Sequence, residues 1–429
     1  MFQTISNIMR ASDIRRKVLF TLLMLIVFRI GVHIPVPNVN RDLLKIQDEL
    51  GVFGVLNTFG GGALANFSIF AMGIMPYITA SIIMQLLQMD VVPKFSEWAK
   101  QGEVGRRKLN QTTRYFTIIL GFIQAIGMSF GFNNMYPGLI ENDSVMTYLY
   151  IGLILTAGTA FLMWLGEQIT AHGVGNGISI IIFAGIVAAI PNGLVQIYAK
   201  YFDGNHDQLF VQIVTVLLIF LAILAIIVGV IFIQQGLRKI PVQYAKRVVG
   251  EKTYGGQSTF LPLKVNAAGV IPVIFAISFL VTPPTIAQFF GQNNVTTWII
   301  ETFDYTKPVG MVIYVTLIIL FTYFYTFVQV NPEQMADNLK KQGGYIPGYR
   351  PGKETQNYVT KVLLRLTPVG SIFLAVVAII PVFFSAIAKL PTSIQIGGTS
   401  LLIVIGVALE TMKTIESQLV KRHYRGFIK

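Results

Sequence analysis

Three sets of residues in the chain have types or spacings that suit reactive sites. Gly127-Met128-Ser129-Phe130-Gly131 matches GxSxG, where a strand-to-helix turn presents a serine to a histidine base. Gly173-x-Gly175-x-Gly177 has the glycine spacing of a phosphate-cradling turn. The four histidines, His33, His172, His206 and His423, are the candidate bases or metal ligands. Each set lacks its setting. Ser129 lies inside a continuous apolar stretch with no preceding strand, where small residues serve helix packing. No βαβ unit surrounds residues 173–177, which read as a tight turn. The histidines are scattered over loops, without HExxH or any other ligand spacing. There is no Walker A run. The absence of cysteine excludes disulfides, thiolate metal sites and thiol nucleophiles. No catalytic residue, cofactor or metal is expected.

The elements that would have to position any site are membrane spans. Of the 429 residues, 53% are hydrophobic and 12% charged, with mean hydropathy +0.63. A soluble chain carries roughly 25% charged residues. Ten apolar runs bounded by charged or Gly/Pro-rich segments predict spans near 18–34, 73–89, 113–133, 146–166, 177–199, 209–235, 266–290, 309–331, 366–388 and 399–416. Of the 33 lysines and arginines, 27 lie in or at the edge of segments on the N-terminal side of the membrane. Five lie on the other side, and Arg29 sits within span 1. Positive charge marks the cytoplasmic face, so both termini are expected there. The net charge of +13 is therefore read as a topology signal rather than a nucleic-acid footprint. Arg15-Arg16-Lys17 before an apolar run also looks like a signal peptide, but no small-x-small cleavage site follows, and span 1 is expected to be retained.

The middle of every span lacks Asp and Glu, which an ion-coupled transporter or membrane enzyme would need at depth. Glu167 and Glu410 fall near the cytoplasmic ends of spans 4 and 10. Arg29, near the external end of span 1, is read as a structural contact or a snorkelling side chain. Ten spans divide five and five about the external linker KYFDGNHDQ (200–208). An odd number per half gives the halves opposite orientations, the arrangement of inverted repeats, although no residue-level repetition was evident. The expected division is 1–205 and 206–429.

Polar and helix-breaking residues interrupt certain spans: Pro76, Thr79, Ser81 and Gln85 in span 2, and Asn266 and Pro272 in span 7. These suggest helices that face protein or water. Ahead of span 2, Ala63–Met72 is apolar yet too short to cross a bilayer, which takes about 20 residues. Two long cytoplasmic loops, about 236–265 and 332–361, carry Arg238, Lys239, Lys246, Arg247, Arg350 and Lys353 beside tyrosines and read as a docking surface. Around Val248-Val249-Gly250 the first of them reads as a hairpin. To this point a channel and a small-solute transporter fit equally, and an intramembrane enzyme fits poorly.

The stretches GGGALANFSIFAMGIMPYITASIIMQLL, MWLGEQIT, GVGNGISIIIFAGIVA, STFLPLKVNAAGVIP, NPEQMADNLKKQGGYIPGYRPG and GGTSLLIV together resemble the bacterial SecY family of protein-translocation channels. The resemblance runs in order from span 1 to the end of span 10. It implies an all-α polytopic membrane protein of ten transmembrane helices, in two inverted five-helix halves that form a clamshell around a central pore. It implies a plug half-helix at about Gly61, Gly62, Ala63, Leu64, Ala65, Asn66, Phe67, Ser68, Ile69 and Phe70. It implies a pore ring of Ile74, Ile78, Ile182, Ile271, Ile274 and Ile403. A lateral gate between spans 2 and 3 and spans 7 and 8 follows, with Thr79, Gln85 and Asn266 as candidate polar contacts across it. The implied partners are the small membrane subunits SecE and SecG, the SecA motor ATPase, the ribosome with its RNA, preproteins bearing signal sequences, and the lipid bilayer. Arg238, Lys239, Lys246, Arg247 and Arg350 would serve docking. The protein would be a passive channel of the bacterial cytoplasmic membrane, driven by partners or the proton-motive force.

Overall fold

The computed structural model describes residues 11–40, 43–44, 52–89, 91–202, 209–244, 247–249, 252–254, 258–287, 290, 293–388 and 399–425. The first half of the chain forms α1 (Ser12–Val32), α2 (Val52–Phe59), α3 (Met75–Leu87), α4 (Pro93–Lys100), α5 (Glu103–Met135), α6 (Val145–His172) and α7 (Gly177–Phe202). The second half opens with α8 (Leu209–Gln235), followed by β1 (Leu237–Tyr244), β2 (Arg247–Val249), β3 (Lys252–Tyr254) and β4 (Ser258–Lys264). It continues with α9 (Ile271–Ala287), α10 (Asn294–Thr302), α11 (Pro308–Gln329), α12 (Pro332–Lys341), β5 (Gly344–Tyr345), α13 (Lys353–Ala388) and α14 (Thr399–Arg425).

Helices stand at all ten expected spans: α1, α3, α5, α6 and α7 in the first half, and α8, α9, α11, α13 and α14 in the second. Six of them, α5, α6, α7, α8, α11 and α13, are long and apolar enough to cross a membrane on that ground alone. α3 and α9 are apolar but shorter, at 13 and 17 residues. α5 and α13 begin 10 and 13 residues before their predicted spans, because Glu, Arg, Lys and Gln continue a helix that hydropathy does not register.

The membrane part is all-α, and the β-structure belongs to the two long loops. β2 and β3 form the expected hairpin, pairing Val248 with Thr253. Beyond it, β4, β1 and β5 make an antiparallel sheet, so strands from both loops share one platform. Ile240, Val242, Leu263, Leu339, Ile346, Val359 and Leu363 bury its inner face against α12 and α13. Asn331 caps α12 by accepting from the Glu333 and Gln334 N–H groups at 3.0 and 3.2 Å. Tyr345 Oη donates to Gln243 Oε1 at 2.9 Å, a side-chain bond between the two loops.

Within the bundle, α5 packs along α6 and α3, α7 along α6, and α11 along α9 and α13. One apolar core joins the two halves, with members from α1, α3, α6, α7, α8, α9, α11, α13 and α14.

Candidate functional site

α3 and α9 begin alike. Gly73 (φ +56°) and Gly269 (φ +66°) take backbone angles closed to other residues, and each ends an irregular lead-in. Pro76 and Pro272 then occupy the first turn, where a missing N–H costs nothing. The two starts align over nine residues, GIMPYITAS (73–81) and GVIPVIFAI (269–277), with Gly, Pro, Ile and Ala at matching places. That G-x-x-P-x-I-x-A repeat is the signal missed in the sequence reading. Short, Gly/Pro-interrupted segments at corresponding places in two halves mark the working site of such folds.

All six isoleucines belong to, or pack against, one apolar core that spans both halves. Ile74, Ile78, Ile182, Ile274 and Ile403 are buried in the one core, and the half-buried Ile271 packs against it. They come from the start of α3, from α7, from the first turn of α9 and from α14. All six are branched apolar side chains drawn from both halves, and none is ionisable. Such a surface wets poorly and offers a passing chain no fixed charge or hydrogen bond.

The segment expected as a plug half-helix is not helical. The helix lies just before it, as α2, whose end packs on α7: a Cβ added to Gly185 would stand 2.3 Å from the Phe59 carbonyl oxygen. Gly61 (φ +67°) and Gly62 (φ +89°) then turn the chain. The Asn57 side chain accepts from the Ala65 N–H at 2.9 Å, and Arg29 Nη1 donates to the Gly61 carbonyl at 2.8 Å. From Phe67 onward the segment is fixed. Val36 N–H donates to the Phe67 carbonyl and Ile69 N–H to the Ile34 carbonyl, each at 3.0 Å. The Phe70 ring stacks between Phe28 and Phe161, at centroid distances of 6.2 and 5.9 Å. Ala63, Leu64 and Ser68 are fully buried, while Ala65, Asn66 and Ile69 are half-buried. The expected plug segment is therefore a glycine turn that follows α2 and leads into an anchored stretch from Phe67 to Phe70.

Between α3, α5 and α9 lies a crevice of about 30 Å³, room for roughly one water. Thr79, Gln124, Ser278 and Thr285 are among its lining residues. The expected polar contacts across this seam are corrected. Thr79 Oγ1 donates to the Met75 carbonyl, Gln85 Nε2 to Ser81 Oγ and Asn266 Nδ2 to the Gly269 carbonyl, all within their own segments. Among the described residues a side-chain hydrogen bond does run from α9 to α3, Ser278 Oγ donating to Met75 Sδ at 3.9 Å.

Of the docking residues, Arg238 and Lys239 are exposed on β1, and Arg350 is exposed just before α13. The Arg350 carbonyl accepts from Thr355 Oγ1 at 2.9 Å, which fixes the turn. Arg247 opens β2, and Lys246 lies outside the described residues. Among the described residues no three His, Asp or Glu side chains could hold a metal. The Ser129 hydroxyl, fully buried, donates to the Ala125 carbonyl at 2.7 Å, as a packing serine does.

The fold defines a class: a ten-span helical membrane protein whose two halves share one apolar core. The chain belongs to the SecY family, whose model matches residues 68–412. A protein translocase subunit SecY from Halalkalibacterium halodurans is 73% identical over 430 residues, covering 100% of both chains. A solved SecY channel, whose plug domain is described as stabilising the closed state and maintaining a membrane seal, matches with TM-score 0.61 at 17% identity. That match covers 95% of this chain and 93% of the other. Sec61 from the canine ribosome–channel complex matches with TM-score 0.59 at 15% identity, over 95% of this chain and 93% of that one.

Proposed function

We propose that the chain is the pore-forming subunit of a protein translocase, which passes unfolded secretory polypeptides through the isoleucine neck. What supports this reading is that six isoleucines from both halves lie in or against one apolar core, together with the matching G-x-x-P starts of α3 and α9. An extended chain entering there displaces apolar contacts only, so the neck reseals behind it whatever side chains have passed. α2, hinged at Gly61 and Gly62, is the part that leaves, while Phe67–Phe70 stays as its anchor. Apolar segments leave sideways between α3 and α9 as the halves 1–205 and 206–429 separate. Thr79, Ser278, Thr282 and Thr285 each donate to the carbonyl four residues back, so opening strands none of these hydroxyls.

The site has no chemistry of its own to supply work, so energy comes from a SecA-type ATPase, the ribosome or the proton-motive force. The basic sheet platform with Arg238, Lys239 and Arg350 is the docking face for those partners, ribosomal RNA phosphates included. SecE and SecG are the proposed membrane partners, and the bacterial cytoplasmic membrane, with both termini cytoplasmic, is the proposed location. The test is crosslinking of a stalled preprotein to Ile78→Cys, Ile182→Cys and Ile403→Cys variants, made one at a time. Adducts are expected at all three. A stalled chain that reaches none of them, while crosslinking elsewhere on the protein, refutes the reading.

A further inference from the structure

We propose that α10 is a lipid anchor, lying in the headgroup–acyl boundary on the side opposite the β-sheet and holding that end of α9 at fixed depth. This goes beyond the transport reading and stands apart from it.

β4 leads into α9 on the sheet side, so Ala287 and the nine-residue α10 lie at the other end of the bundle. α10 has three faces. Thr296 is buried and its hydroxyl donates to the Ala287 carbonyl at 3.5 Å, which ties α10 to the last residue of α9. Phe303, just past its end, packs on the main core. A second face carries the exposed Asn294, Thr297 and Glu301, with Glu301 paired to Lys307 at 2.9 Å. On the third, Val295 is 68% exposed and Trp298 64%, one turn apart on the same stripe. At 100° per residue, the mean directions of the polar and apolar exposed faces lie about 95° apart. A helix lying along a membrane surface, its remaining side against protein, carries one such apolar face and one such polar face.

What covers Val295 and Trp298 is given by their surroundings. Ile286 at the end of α9, Phe290 just beyond it, and Val309 and Val312 at the start of α11 are all exposed. In this proposal those side chains face acyl chains, and the α10 stripe lies at the rim of the same belt. Tryptophan suits that depth because its ring is apolar and its N–H seeks polar headgroups.

The test uses the full chain in vesicles of phosphatidylcholine and phosphatidylglycerol. The chain has three tryptophans, so Trp98→Phe with Trp164→Phe leaves Trp298 alone to report. Its emission should be quenched strongly by lipid brominated near the headgroup, less by lipid brominated near the chain end, and little by iodide. Free quenching by iodide with no effect of either lipid overturns the proposal. Protection from all three quenchers also overturns it, since a protein partner then covers the stripe. Because the chain has no cysteine, Thr297→Cys and Trp298→Cys in the otherwise unaltered chain give a second measurement. A water-soluble maleimide should react several-fold faster at position 297, and equal rates refute the anchor.

Discussion

Arg29 Nη1 stands 2.8 Å from the carbonyl oxygen of Gly61, at the turn that ends α2. A Cβ on Gly61 would lie 2.9 Å from the same nitrogen and 3.0 Å from the Gly185 Cα, so the turn is held from both α1 and α7. A hydrogen bond from a charged donor is worth about 1.5–3 kcal/mol. Arg29→Gln should therefore raise the fraction of channels with α2 unseated roughly ten- to hundredfold, with Arg29→Lys falling between. Ion flux through resting vesicles reads this directly. Wild-type flux in Arg29→Gln would show that the bond does not latch α2.

Phe70 answers to a different force. It fills the space that Gly31 leaves open and stacks on two rings, and a Cβ on Gly158 would stand 1.9 Å from the Ile69 carbonyl. Phe70→Ala should cost about 3–5 kcal/mol of stability and lower the Tm in detergent. Deleting Val52–Phe59 should instead leave Tm within a few degrees while raising ion leakage. If the two variants behaved alike, the division into hinged and anchored parts would be wrong.

Ring variants separate sealing from folding. Ile182→Ser and Ile403→Ser put hydroxyls into the neck and should raise resting conductance, the double variant more than either alone. Conductance across planar bilayers measures it, and an unchanged double variant would remove the isoleucines from the seal.

At the α3–α9 seam, Thr79→Val and Ser278→Ala remove hydroxyls that bond mainly within their own helices, with Ser278 also 3.9 Å from Met75 Sδ across the seam. Each should change stability by less than about 1 kcal/mol, followed by thermal unfolding. A loss of several kcal/mol in either would mean that these hydroxyls hold the seam together.

Arg350→Glu reverses a charge on an exposed turn whose backbone is held by Thr355. Membrane insertion and Tm should stay as in the parent, while motor-driven export of a preprotein into vesicles falls severalfold. Normal export would take Arg350 off the docking face.

Hydropathy and charge made the ten spans legible, because crossing a bilayer imposes length and polarity on every segment separately. The hairpin at Val248-Val249 was legible from its alternation for the same local reason. The sheet was not: Pro241 and Pro262 argue against strands, and they are tolerated where β1 has an open edge and where β4 is the edge strand. The G-x-x-P repeat was in plain view but short, and it gained weight once Gly73 and Gly269 were seen at positive φ. Residue type said that Thr79, Gln85 and Asn266 need partners. It did not say whether those partners lie four residues back or on another helix.

α3 is only 13 residues long. At 1.5 Å per residue it spans about 20 Å, against a hydrocarbon thickness of about 30 Å. Bilayers pinch around a short apolar stretch. Leaflets that met this flank would be drawn inward, and a greasy segment slipping out beside it would enter a shallower sea of oil.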